Sequence, residues 1–214
     1  MNVKTKRLWQ MSVLTSAALL GLNQPLPSLA QQSEAPPEGS VRIVGFAYGG
    51  TGCPQGSVGS VISRDQSTIE LLYDRFVAEL GTGASRSSQS NCTVSFQLEY
   101  PAGFSVSWDR VEHRGFADTT GGAQAELRAR YYIPGEGGFD TVRVYSFPDN
   151  SAEDYTIVQD NISTAFTQCG ATIPLSVNTR VRLFGTPSNF NTLTVDSMTN
   201  KVRTLLNLRW RRCS

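Results

Sequence analysis

TVSFQLEYPAGFSVSWD, residues 93–109, is the stretch that decides the fold. Val94, Phe96, Leu98 and Tyr100 alternate with Thr93, Ser95, Gln97 and Glu99. A period of two is the mark of a strand with one buried face. After Pro101-Ala102-Gly103 the alternation resumes, with Phe104, Val106 and Trp108 against Ser105, Ser107 and Asp109. The two runs are expected to form a β-hairpin.

The same texture extends in both directions. Ala123, Ala125, Leu127, Ala129, Tyr131 and Ile133 form one apolar row, with Gln124, Glu126, Arg128 and Arg130 facing away. Ile173, Leu175, Val177, Val181 and Leu183 form another, with Ser176, Asn178, Arg180 and Arg182 opposite. Val202, Thr204, Leu206, Leu208 and Trp210 make a last one. Gly-, Pro- and Asn-rich clusters separate these runs, and residues 81–90 are expected to be a loop. The expectation is an all-β fold: one antiparallel β-sandwich, jelly-roll-like or Greek-key, of about eight to ten strands. Residues 69–80 leave two readings open. Ser67-Thr68-Ile69-Glu70 fits a helix capping box, and Ile69, Leu72, Tyr73, Phe76 and Leu80 have helical spacing. The alternation of Ile69, Leu71 and Tyr73 tips the choice toward strand.

The chain of 214 residues opens with Lys4, Lys6 and Arg7, an apolar stretch from Leu8 to Leu22, Pro25, Pro27 and the small-residue site Ser28-Leu29-Ala30. This is the layout of a secretory signal covering residues 1–30. Residues 31–40, QQSEAPPEGS, are expected to be a flexible leader, and 41–214 the folded domain. No later apolar run approaches the ~18 residues of a membrane span. The protein is therefore expected outside the cytoplasm, extracellular or periplasmic. Removing three of the 19 basic residues with the signal leaves a charge of about −2 against 18 acidic ones, which argues against a nucleic-acid partner. In the mature chain Lys201 is the single lysine beside 15 arginines.

Cys53, Cys92, Cys169 and Cys213 all follow the signal, and an even number in an oxidising compartment points to disulfides. Three pairings exist. Cys53–Cys92 and Cys169–Cys213 is the expected one, each closing a moderate loop. No C-x-x-C occurs, and His113 is the only histidine, so neither a metal site nor a cofactor is expected. His113 lies in the polar run Arg110-Val111-Glu112-His113-Arg114 and is expected at the surface. No Gly-x-Ser-x-Gly elbow accompanies it.

Gly50-Thr51-Gly52-Cys53-Pro54, Asn91-Cys92, Tyr100-Pro101-Ala102-Gly103-Phe104, Arg114-Gly115-Phe116-Ala117, Val177-Asn178-Thr179-Arg180 and Trp210-Arg211-Arg212-Cys213 occur in this order. In these motifs the chain resembles the secreted domain-of-unknown-function family numbered 4360, found in bacteria and fungi. The resemblance spans about residues 41–213. It implies export and a disulfide-stapled single domain, and it transfers no catalytic residue.

Two functional classes follow. One is a noncatalytic binding or structural module, with cell-envelope or extracellular polysaccharide, or protein, as partner. Its candidate anion-binding stripe is Arg203, Arg209 and Arg211 on one face of the last strand, unless those charges protect a sheet edge. The other class is a glycosidase-like secreted hydrolase working through paired carboxylates, Asp109 with Glu112 or Glu153 with Asp154.

Overall fold

A computed structural model describes residues 35–134, 140–170, 172, 174–195 and 204–213. The expected signal, Val202, Arg203 and Ile173 lie outside the described residues. Twelve strands follow in order: β1 (Arg42–Gly49), β2 (Val58–Ile62), β3 (Thr68–Tyr73), β4 (Val77–Leu80), β5 (Ser87–Glu99), β6 (Phe104–Asp118), β7 (Gln124–Tyr132), β8 (Asp140–Ser146), β9 (Ala152–Gln159), β10 (Pro174–Phe184), β11 (Asn191–Thr194) and β12 (Thr204–Arg212). They build two antiparallel sheets, and no helix occurs among the described residues. One sheet runs β1-β5-β10-β7-β8, the other β2-β3-β12-β6-β11-β4, with β9 paired to β6. The apolar rows of both sheets meet in one core. Val94, Phe96 and Leu98 on β5 and Trp108 on β6 are fully enclosed, with the Phe96 and Trp108 rings edge-to-face at 6.5 Å.

That contact corrects the expected hairpin. β5 pairs with β1 and β10, and β6 with β12 and β9. Pro101-Ala102-Gly103 thus carries the chain from one sheet to the other. Alternation fixes which side of a strand is apolar, and two such rows can satisfy each other across a core as well as along a ladder.

Residues 69–80 are strands. Ile69, Leu71 and Tyr73 point inward while Leu72 is 42% exposed. A break at Asp74 and Arg75 then shifts the parity, so that buried Phe76 and Leu80 fall at helix-like spacing by coincidence. Two further expectations change. β5 starts at Ser87, so the loop before it is shorter than 81–90. Residues 35–40 are tied down, because Gln66 donates to the Pro37 carbonyl (2.7 Å) and accepts from the Val41 amide.

The disulfides join Cys53 to Cys92 and Cys169 to Cys213. The first ties the turn after β1 to the neighbouring strand β5. Gly50 in that turn has φ +146°, and an added Cβ would lie 2.2 Å from the Asn91 carbonyl oxygen, so the motif needs glycine there. The second disulfide straddles the crossover turn: Gly170 N–H donates to the Phe104 carbonyl and Cys213 N–H to that of Gly103. It links the segment entering one sheet to the strand that ends the other.

Gly115 explains another motif. Its missing side chain leaves room for the Thr194 carbonyl and the Tyr155 hydroxyl, which a Cβ would meet at 2.1 and 2.5 Å. Tyr155 donates to that same carbonyl. Gly115→Ala should therefore destabilise the domain by about 1–3 kcal/mol. Urea unfolding checks this, and a variant as stable as the parent would contradict the packing described.

Candidate functional site

His113 lies inside the sandwich, fully buried. The expected surface position is corrected, and the cause is one residue. In β6 the inward positions are even up to Trp108, but Asn207 faces Arg110 while Leu208 faces Trp108, so Asp109 is an inserted residue. This bulge switches the parity, and Val111 and His113 turn inward. The imidazole joins a chain of hydrogen bonds across the core. Tyr131 on the opposite sheet donates to Gln159 Oε1 (2.8 Å), so its oxygen accepts from His113 Nε2–H (2.8 Å). Nδ1 then accepts from the Thr204 hydroxyl (3.1 Å), which is bonded to Tyr73. The network assigns the neutral Nε2–H tautomer. Burial pushes the imidazole pKa down to about 4 and raises the Tyr73 and Tyr131 hydroxyls. These groups have no opening to substrate; they pin the two sheets together.

The acid pairs are engaged or apart. Glu112 lies between Arg110 and Arg114, with ion pairs to both, and Asp109 pairs with Arg209 at 3.5 Å. Glu153 and Asp154 are exposed on β9 and, as adjacent strand residues, point to opposite sides. All four cysteines are oxidised, so no described thiol can act as a nucleophile.

Of the predicted arginine stripe, Arg203 lies outside the described residues. Arg209 donates to the Ser163 carbonyl (2.8 Å) and packs with Arg211 on the Phe166 ring, at 5.3 and 4.3 Å. Both lie beyond the β3 pairing, which ends at Asn207, so β6 is the strand partner of this stretch. β12 lies between β3 and β6, and beyond its β3 partner residues the Ser67 and Gln66 carbonyls take the Leu208 amide and the Trp210 indole N–H.

The outward face of the five-stranded sheet gathers more. β10 pairs with β7 so that Arg180 sits opposite Arg128, Asn178 opposite Arg130 and Arg182 opposite Glu126. On its other side β10 sets Ser176 against Ser95 and Asn178 against Thr93, and both pairs are hydrogen-bonded at 2.8 and 2.7 Å. The result is a ladder of hydroxyls and amides beside four arginines. Tyr132 and Phe184 lie at its two ends, under Arg130 and Arg182 respectively, each at 4.8 Å. Asp140 hydrogen-bonds Arg130 (2.8 Å), which holds its carboxyl below the usual carboxylate range. A depression of about 380 Å³ continues the face toward β1, lined by Gly45, Ala47, Ser95, Gln97 and Pro174 among others. Sequence reasoning found both outward rows but not their adjacency, since the strands that carry them are distant in the chain.

Residues 39–213 match the family described as "Domain of unknown function (DUF4360)". A protein of Arthroderma benhamiae (strain ATCC MYA-4681 / CBS 112371), described as "Uncharacterized secreted protein", is 33% identical over 184 residues, 84% of this chain and 75% of that protein. Among solved structures, TmCBM61 in complex with β-1,4-galactotriose is similar with a TM-score of 0.29 and 11% identity, over 80% of this chain and 91% of its own. TmCBM27, a carbohydrate-binding module described for mannan recognition, has a TM-score of 0.28 and 9% identity, over 81% and 90%. With the family matched across nearly the whole described domain, and both disulfides and the two-sheet fold in place, this secreted β-sandwich belongs to the DUF4360 family.

Proposed function

We propose that the protein is a noncatalytic binding module that docks onto extracellular or cell-envelope polysaccharide through the outward face of its five-stranded sheet. The observation that carries this reading is the ordered polar ladder on that face. Thr93, Ser95 and Asn178 are half-exposed there and offer hydroxyl and amide groups side by side, held in fixed positions by the Asn178–Thr93 bond and by the buried Ser176 hydroxyl beneath Ser95. Polyhydroxylated chains exchange hydrogen bonds with such groups, and prefixed donors and acceptors lower the entropy cost of binding. The Tyr132 and Phe184 rings add flat apolar surface at the ends. A hydrolase needs two facing acids across a cleft. Asp109 and Glu112 are instead held in ion pairs on the other sheet.

Affinity electrophoresis in gels containing soluble polysaccharides, with pull-down on insoluble ones and envelope fractions, tests the reading. The expected result is retarded migration or pull-down by at least one polysaccharide, without release of reducing ends. Retention by none would overturn it. Sugar release that disappears in Asp109→Asn or Glu112→Gln would replace it with the hydrolase.

A further inference from the structure

Resting on that binding reading, we infer that the face selects an acidic polysaccharide, a polymer bearing carboxylates, and that Arg128 and Arg180 form its anion seat. The reason is an arrangement that folding alone does not favour. Arg128 and Arg180 are directly opposed across β7 and β10, and like charges at opposed positions destabilise a sheet. Arg130 follows two residues along on the same face, and Arg182 lies diagonally across. The four Cα positions form a patch of about 5 by 14 Å, from strand spacing and rise.

Two carboxylates reach this patch, and neither answers Arg128. Asp140 holds Arg130, and Glu126 reaches Arg180 at 3.5 Å. Arg128 is exposed and pairs with no carboxylate among the described residues. Arg180 keeps a buried Nε with no hydrogen-bond partner. A carboxylate placed between Arg128 and Arg180 gives the exposed Arg128 guanidinium the acceptor it lacks and relieves the repulsion, and the planar guanidinium fork is suited to that group. The adjoining hydroxyl and amide ladder then meets the sugar hydroxyls that flank each acid group in such a polymer. Because the mature chain as a whole is not basic, long-range attraction is weak, and selectivity comes from these contacts.

Titration calorimetry of the secreted protein with polygalacturonate, its fully methyl-esterified form and polyglutamate tests the inference. The ester keeps the sugar backbone and removes the charge. The acid form should bind at least about tenfold more tightly than the ester and than polyglutamate. Arg128→Gln/Arg180→Gln should weaken binding to the acid form roughly tenfold or more, and Arg209→Gln/Arg211→Gln should leave it unchanged. Arg128→Gln alone, at an exposed position, gives the same reading if the double variant does not fold. Equal binding of acid and ester overturns the charge selection while leaving a polysaccharide-binding module. Equal binding of polyglutamate makes the partner an acidic protein. An unaffected Arg128 variant, or a loss confined to the Arg209 and Arg211 variant, removes the site from this face.

Discussion

Replacing Cys169 and Cys213 together by serine is expected to lower the unfolding free energy by about 2–5 kcal/mol. The bond closes a chain separation of 44 residues, for which chain entropy alone gives about 4 kcal/mol. Its position adds to the effect. Cys169 and Cys213 flank the turn at Gly103 and Phe104, where the chain passes between sheets, and both strands leaving that turn are in the core. The adjoining end of β12 carries Trp210, edge-to-face with Tyr100 at 5.3 Å. Without the crosslink this corner keeps its backbone hydrogen bonds, that ring contact, the Thr167 hydroxyl bonded to Tyr100 (2.8 Å) and to the Val106 amide (3.0 Å), and Arg212 over the Phe104 ring. Thermal unfolding should show a midpoint lower by roughly 10 °C, from the usual entropy of a domain this size. A double variant as stable as the parent would mean that the crossover is held by packing alone.

The second large effect is on pH dependence. The His113 pKa is about 4 in the folded protein because burial disfavours the cation, against ~6.5 in an unfolded chain. Between those values the unfolded chain binds more protons, so stability is complete above about pH 6.5 and falls as pH drops toward 4. The loss amounts to about 3 kcal/mol, since each tenfold difference in proton affinity is worth about 1.4 kcal/mol. His113→Gln can accept from Thr204 and donate to Tyr131 without taking up a proton. Its unfolding free energy should therefore decline about 3 kcal/mol less over that interval than the parent's. As His113 is the only histidine, no other imidazole obscures the difference. Parallel pH profiles for the two proteins would place the imidazole in contact with water.

Much of the fold can be read from alternation alone. The rows Val94 to Leu98, Ala123 to Tyr131 and Leu175 to Leu183 are buried where period two puts them, and both disulfides join the expected cysteines. What alternation does not specify is the partner of each strand, or a change of parity within one. The Pro101-Ala102-Gly103 turn illustrates the first, because a hairpin and a sheet-to-sheet crossover need the same pattern. His113 illustrates the second, since a single bulge residue, Asp109, moved it from outside to inside. The candidate site was hidden for the first reason. Arg128 and Arg180 each stand in a plainly polar outward row, and only the β7–β10 register makes them neighbours. The stripe on β12 was conspicuous because its arginines are close in sequence. Arg209 there already holds Asp109 and the Ser163 carbonyl.

If the outward face of the five-stranded sheet is the binding surface, ligand contacts must map to β5, β7 and β10. A heteronuclear NMR titration of the labelled secreted protein with polygalacturonate fragments tests this most directly. The expected result is a set of shift changes confined to Arg128–Tyr132, Ser176–Phe184 and the facing residues of β5, with the Arg128 and Arg180 side-chain signals moving most. Changes centred on Phe166, Arg209 and Arg211, with the five-stranded sheet unperturbed, would contradict it.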